Sequence, residues 1–372
     1  VRIDMEKSEK LIVSAVEQGV NYFDTAYIYG GSEQALGEIL HRNRLRDKVN
    51  IATKLPPQQC KRYEDYDRIF NDQKQRLKTD YVDFYLIHNL STLEAWKAQR
   101  ALGIDRWLKE KKEQGQIKRV GFSFHGAKQV FADLLDEYDW DFVQIQYNYI
   151  NENYQAGRSG LEKACAKGLP VIVMEPLLGG KLANGLPKAA AQLFTEADAA
   201  LTHAAWAMRW LYDQREVTVV LSGMNGEEQL SDNVKTAANA APGMLTEKER
   251  AVYQKALSVF EESYKIPCTG CNYCMPCPSG VNIPACFTAY NTSYSVGYLT
   301  GIIQHLTNIG MNNPQKVVGA HKCVKCGKCE KQCPQHIAVV KEMEAVQKHM
   351  EPFWLRGALR LYMALSGGKK KP

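Results

Sequence analysis

Eight cysteines at short, repeated gaps constrain this chain more than any other feature. Cys268, Cys271, Cys274 and Cys277 lie in CTGCNYCMPCP, and Cys323, Cys326, Cys329 and Cys333 in CVKCGKCEKQCP. Three cysteines at two-residue gaps let one loop present three thiolates to one [4Fe–4S] cube, and a fourth before proline completes the pattern. The second motif has the full C-x2-C-x2-C-x3-C-P spacing; the first is one residue shorter before its last cysteine. Two such motifs imply two clusters, and therefore electron transfer. Tetrahedral zinc is the rival reading of C-x2-C pairs. It has no use for a third cysteine at the same gap, nor for Cys-Pro at the end of both motifs. Disulfides are disfavoured, since nine of the 11 cysteines follow residue 267 and no signal peptide is expected. Cys60 and Cys165 are expected to be ordinary packed thiols. The pattern fits a reducing, anaerobic cytoplasm.

A chain of 372 residues accommodates one large domain and a small one. No apolar run approaches the roughly 20 residues that span a bilayer. The net charge of +6 is unevenly placed. From Ile266 onward there are 12 Lys/Arg against 4 Asp/Glu, whereas the first 265 residues carry 35 and 37. The basic excess therefore belongs to the cysteine domain, where it either steers an acidic electron carrier or forms a solvated face. Nucleic acid is not expected as a partner, because the basic residues are not interleaved with a base-stacking aromatic platform.

The body of the chain alternates helix and strand. An amphipathic helix is expected over 5–18. Short apolar strands follow within 21–30, 49–55, 81–89, 118–126, 142–149, 169–180 and 218–224, each separated from the next by a helical stretch. Such alternation gives a parallel sheet wrapped by helices. Seven strands and about eight helices approach a (β/α)8 TIM barrel, whose first strand is expected to be missing from this chain. A doubly wound sheet is the alternative, but no strand leads into a Gly-x-Gly-x-x-Gly turn. The polar helix over 246–265 closes a barrel domain of residues 1–265. A mainly helical, ferredoxin-like iron–sulfur domain of residues 266–372 follows, with helix between the motifs over 284–320. An amphipathic helix over 352–365 is expected to pack back on it.

Chemistry in a parallel barrel sits at the C-terminal ends of its strands. Asp24 and Tyr29 follow the first strand, Lys54 ends the next, and His88 follows the third. Each alone has a bland explanation: a helix cap, a packing ring, a core histidine. Together they form an acid–base device. An ammonium beside a phenol lowers its pKa, a carboxylate aims the ammonium, and an imidazole orients a carbonyl. The device lacks only a hydride.

These segments resemble the aldo-keto reductase family. FDTAYIYGGSE is similar to that family's Asp-Thr-Ala-x-x-Tyr-Gly segment, and IATKL and DFYLIH to its lysine and histidine strands. The likeness continues through KRVGFSFHG, FVQIQYNY, Glu175-Pro176-Leu177 and LSGMNGEEQLSDNV. It implies a (β/α)8 barrel, carbonyl–alcohol interconversion of a small substrate, and a nicotinamide cofactor, NAD(P). By position, Tyr29 is then the general acid/base, supported by Asp24, Lys54 and His88. Ser123 and Gln144 hold the nicotinamide carboxamide, Met174 stands where a ring usually stacks on it, and Gln229 and Asn233 lie beside the adenosine end. Phe124 replaces the usual Asn after the serine, and Glu227 and Glu228 stand where a base often grips a 2′-phosphate.

The whole chain is similar to members of that family with a C-terminal ferredoxin-type domain. This resemblance implies crossed ligation of two [4Fe–4S] clusters. One takes Cys268, Cys271, Cys274 and Cys333; the other takes Cys323, Cys326, Cys329 and Cys277, with Cys286 in reserve. A ferredoxin-like carrier is the implied partner. A hydride carries two electrons and a cluster accepts one, so a flavin is not excluded. The alternative to an enzyme is an electron-transfer or scaffold subunit with a degenerate barrel.

Overall fold

The computed structural model describes residues 3–126, 128–295, 297–309, 318–353 and 355. They divide into two compact units, one of residues 1–177 and 204–245, the other of 178–203 and 246–372.

The first unit is built on seven parallel strands: β1 (Tyr22–Asp24), β2 (Asn50–Leu55), β3 (Val82–Ile87), β4 (Ile117–Phe124), β5 (Phe142–Gln146), β6 (Val171–Met174) and β7 (Val217–Val220). They pair in sequence order, each with the next. A doubly wound sheet would reverse its strand order at a switch point; sequential order without reversal is that of a barrel. Ala52, Leu86, Phe142 and Ile172 pack together on one face of this sheet, as the filled interior of such a fold requires. On the other face Ile51, Tyr85, Phe122 and Val143 meet helix residues such as Leu40, Phe70, Trp107 and Leu161. Phe70 lies edge-on to Tyr85 and Trp107 at 5.2 and 5.5 Å between ring centres. Such pairs contribute about 1 kcal/mol each beyond area burial.

The expected first helix runs from Met5 to Glu17 and starts on the Asp4 side chain, which accepts from the Lys7 N–H at 3.1 Å. A helix over Leu93–Ala101, capped by Thr92, was not among those expected. It sits between β3 and a helix already assigned, so strict alternation hides it. Cys60 is buried as expected, but Cys165 is exposed, on the outer side of the helix Gly157–Ala166. That helix buries Leu161 and Ala164 instead.

The second unit gathers the cysteine motifs with two segments that lie before residue 266. Helix Glu247–Ser263 opens with a capping box, Thr246 and Glu249 each satisfying the other's backbone N–H. It packs against helix Lys188–Ala197, with Phe194 edge-on to Tyr253 at 5.6 Å. Residues 178–203 also touch the first cysteine loop. A side chain at Gly179 would approach the Thr269 carbonyl to 2.7 Å, and the Lys181 ammonium donates to the Cys268 carbonyl. The closing helix and the long loop after β6 pack with the cysteine segment in one compact unit. Between the motifs lie helices Ile283–Ser295 and Tyr298–Asn308. Helix Val339–Met350 completes an apolar core of Ile266, Ile283, Phe287, Val339, Met343 and Val346. The helix expected over 352–365 falls almost wholly outside the described residues. Among the described residues no helix is long and apolar enough to cross a membrane.

Candidate active site and cysteine cavities

The strand ends bring Asp24, Lys54, His88 and Tyr29 together. Lys54 is 2% exposed, and its ammonium donates to the Asp24 carboxylate and, at 2.7 Å, to the Thr25 carbonyl. The other Asp24 oxygen accepts from Gln144 Nε2 at 3.2 Å. Burying an ammonium costs several kcal/mol unless it is paired and hydrogen-bonded, and these contacts supply both. The Lys54 nitrogen lies 5.2 Å from the centre of the Tyr29 ring, and that ring meets His88 edge-on at 5.7 Å.

A buried network holds the Tyr29 loop against β2. Glu33, in the helix Ser32–Arg42, is 1% exposed. Its carboxylate accepts from Thr53 Oγ1 at 2.6 Å, Gln73 Nε2 at 2.9 Å and Arg76 Nη1 at 3.1 Å. Thr53 adjoins Lys54, and Glu33 follows Tyr29 by four residues, so this carboxylate fixes the tyrosine loop and the ammonium relative to each other. The signal for it was present in sequence. Glu33 shares a helical face with Leu36, Gly37 and Leu40, all buried.

Tyr29 is 40% exposed as a whole residue, but desolvation of its ring in the mouth, then the Asp24 and Glu175 carboxylates, raises its phenol above the ordinary range. This reverses the lowering expected from the ammonium beside it. Burial, then Lys54 and His125, lowers His88 to about 3, so its imidazole is neutral. His88 Nδ1 is buried with no hydrogen-bond partner.

The residues implied for nicotinamide fall in two places. Ser123 and Gln144 are register partners on β4 and β5, and Met174 pairs with Gln146 across β5 and β6. Ser123 Oγ accepts from the Asn89 N–H at 2.8 Å. Gln144 Oε1 is buried and unpartnered, as are both polar atoms of Gln146. Each such atom costs about 1–3 kcal/mol, a cost that a ligand N–H or C=O would remove. Gln146 was not singled out from sequence, although its spacing of two from Gln144 puts both on one strand face. Gln229 and Asn233 share the helix Glu227–Ala238, where Gln229 Oε1 accepts from the Asn225 N–H and Asn233 Nδ2 donates to Ser222 Oγ.

In the second unit the cysteines rim two cavities. One is lined by Cys268, Cys271, Cys274 and Cys333. The other is lined by Cys274, Cys277, Cys323, Cys326 and Cys329, so Cys274 borders both. Each cavity combines cysteines of both motifs, an arrangement that suits two cubes with crossed ligands. Among the described residues no His, Cys, Asp or Glu group converges on a point as a single-ion site does. Cys286 lines neither cavity; it is buried in the apolar core, which pushes its thiol up to about 12. Burial likewise pushes Cys274 to about 12 and raises Cys268, Cys329 and Cys333. Metal binding must therefore displace protons from these thiols.

Known families match the two parts of the chain separately. Residues 1–244 match the aldo/keto reductase family and residues 267–338 a 4Fe-4S dicluster domain. A 6-dehydroglucose reductase of Novosphingobium aromaticivorans is 29% identical over 192 residues, which span 47% of this chain and 60% of that protein. A pyridoxal 4-dehydrogenase of Microbacterium luteolum is 25% identical over 284 residues, 61% of this chain and 82% of its own. The fold is shared with a crystal structure of an aldo-keto reductase from Klebsiella pneumoniae in complex with NADPH, at 22% identity and a TM-score of 0.56, covering 68% of this chain and 84% of that one.

Proposed function

The chain belongs to the aldo/keto reductase family and carries a 4Fe-4S dicluster domain, and we propose that it reduces a small carbonyl to its alcohol with Tyr29 as general acid. The observation that supports this most is the convergence of Tyr29, Lys54, Asp24 and His88 on one mouth of the sheet. A nicotinamide dinucleotide, when bound, supplies the hydride that these side chains lack. The unpartnered Gln144 Oε1 fits its carboxamide, with Ser123 beside it, Met174 against the ring, and Gln229 and Asn233 toward the adenosine end.

The protein's own part is positional and protonic. As negative charge gathers on the substrate oxygen, the Tyr29 hydroxyl gives up its proton to it. Lys54 then stabilises the phenolate. Asp24 and Gln144 keep that ammonium aimed. His88, being neutral, orients the carbonyl through an N–H and does not compete as an acid. A raised phenol suits this direction, because the group starts protonated.

The sign of the pH dependence follows. Reduction needs Tyr29 protonated, and its folded pKa lies above the ordinary value near 10, so activity is lost only as pH rises beyond that value. His88 keeps its charge state down to about 3. The pH profile of kcat/KM for carbonyl reduction should thus be flat across the neutral range, with no limb near the usual histidine value of about 6.5. A limb there would contradict the assignment of His88 as a neutral partner.

The clusters are proposed to be held by Cys268, Cys271, Cys274 and Cys333, and by Cys277, Cys323, Cys326 and Cys329. When bound they supply one-electron exchange, with a ferredoxin-like carrier as partner. Replacing Cys271 or Cys333 with Ala should remove the same cluster, and replacing Cys277 or Cys326 the other. Each variant is expected to retain about half of the iron, since a two-cluster domain holds equal cubes. The paramagnetic signals should pair Cys271 with Cys333, not Cys271 with Cys277; the opposite pairing would remove the crossed assignment.

A further inference from the structure

The two cysteine loops are alike in spacing and unlike in charge. Residues 266–315 contain no Lys, Arg, Asp or Glu. The cavity of Cys268, Cys271, Cys274 and Cys333 is lined otherwise by neutral side chains, among them Thr269, Asn272, Phe287 and Ile337. In the second motif a lysine stands immediately before each of the first three cysteines: Lys322, Lys325 and Lys328, with Lys331 just beyond. All four are exposed. Lys328 and Val324 line the cavity itself. Val324 is 68% exposed, and Cys326 is exposed beside it.

The nearby carboxylates cancel only part of this charge. Glu344 pairs with Lys325. Glu330 is turned to the Val340 N–H, at 2.8 Å. Among the described residues no ion pair is formed by Lys322, Lys328 or Lys331. A solvated loop needs no lysine next to each of three ligand-type cysteines, and the uncharged first loop shows that the cysteine pattern itself does not demand one.

We propose that the Lys322–Lys331 loop is the docking face for a small acidic one-electron carrier protein of the ferredoxin type, and that the cluster assigned to Cys277, Cys323, Cys326 and Cys329 is the one that faces it. This rests on the iron–sulfur reading above. Lysines around an exposed apolar residue give an interface its charged rim and dry centre. Their field raises the encounter rate of an acidic partner and orients it. Each encounter passes one electron: the carrier loses one as the cluster gains one, or the reverse, with no proton or group transferred. The first cavity is lined by no charged side chain and has Lys181 on the Cys268 carbonyl beside it, against four lysines in the second loop, so it offers an acidic protein less attraction.

The test uses the full chain with its iron restored, as wild type, as Lys322→Glu/Lys328→Glu/Lys331→Glu, and as a control with the same charge change in the barrel, Lys97→Glu/Lys109→Glu/Lys163→Glu, at exposed sites. Affinity for an acidic ferredoxin is measured against salt. The loop variant should bind about tenfold or more weakly at low salt and lose most of its salt dependence, with the control close to wild type. A second readout needs no protein partner. Dithionite-reduced protein is reoxidised by ferricyanide, an anion, or by hexaamminecobalt(III), a cation. The loop reversal should slow the first and speed the second. Iron content and the visible band confirm that the clusters are intact, and the matching Lys→Gln variants replace any Lys→Glu protein that loses iron. Unchanged affinity in the loop variant, an equal loss in the control, or heparin binding as tight as ferredoxin binding would each overturn the proposal. Neither assay involves Tyr29 or a carbonyl, so the barrel reading survives that failure. Wild-type protein that takes up no iron would instead remove the iron–sulfur reading.

Discussion

Replacing Tyr29 with Phe should lower kcat for carbonyl reduction by about 10²- to 10⁴-fold, the range by which positioned general acids contribute. The ring, and with it the edge contact to His88 and the approach of Lys54, is kept; only the proton is removed. KM should change little. The visible absorbance of the clusters should not change, because the described contacts of Tyr29 lie within the barrel unit. A loss of the visible band along with turnover would mean that the substitution acts through folding. Unchanged turnover would remove Tyr29 from the reaction.

Replacing Glu351 with Ala should have the largest effect on stability. This carboxylate is fully buried, beyond the end of helix Val339–Met350. One oxygen accepts from His305 Nε2 at 2.8 Å and the Ala320 N–H at 2.6 Å. The other accepts from the His321 N–H at 3.0 Å and His321 Nδ1 at 2.7 Å. Burial alone would raise its pKa; the hydrogen bonds from the two histidines outweigh that and hold it far below the usual carboxylate range. Its contribution is therefore complete above the unfolded carboxylate pKa of about 4.3 and is lost only as pH falls through the lower folded value. Removing it strands a buried imidazole and two N–H groups, a change that typically costs about 3–5 kcal/mol.

The local consequence falls on the second cysteine motif. Ala320–Lys322 form the single turn that leads into Cys323, and a side chain at Gly319 would collide with this carboxylate. Thermal unfolding of the Glu351→Ala chain should come markedly earlier than wild type, with iron content falling toward half. Glu351→Gln, which keeps the size and some acceptor capacity, should fall between. Wild-type stability and iron in the alanine variant would show that the carboxylate does not hold the loop.

The parts legible in sequence were those with a local pattern. Alternation of strand and helix set the sheet, and the positions of Asp24, Lys54 and His88 at strand ends marked three of the four groups of the proposed site before any geometry was known. The cysteine gaps grouped the thiols, and Cys277 and Cys333 each line a cavity with cysteines of the other motif, as the proposed crossed ligation requires. What sequence hid was long-range and polar. Glu33 meets Gln73 from 40 residues away, and Glu351 meets His305 from 46. The apolar face of its helix marked Glu33 as buried but not its distant partners, and Glu351 lies beyond its helix with no such pattern, so neither network was expected. The direction of the Tyr29 shift also depends on desolvation by its neighbours and on the Asp24 and Glu175 carboxylates, which one tyrosine in a turn does not announce. Helix Lys188–Ala197 is Ala-rich and a good helix former, but it lies in a loop where alternation predicts none.

The most direct test of the central claim is an anaerobic titration of the full chain with NADH, then NADPH, followed by small aldehydes and ketones, recording the nicotinamide band and the broad cluster band together. The account predicts that the nicotinamide band falls as a carbonyl is added, one nicotinamide oxidised per carbonyl reduced. It also predicts that dithionite still bleaches the cluster band afterward. No nicotinamide binding and no oxidation with any carbonyl, in protein whose clusters dithionite reduces, would contradict it and leave the barrel as a scaffold for an electron-transfer domain.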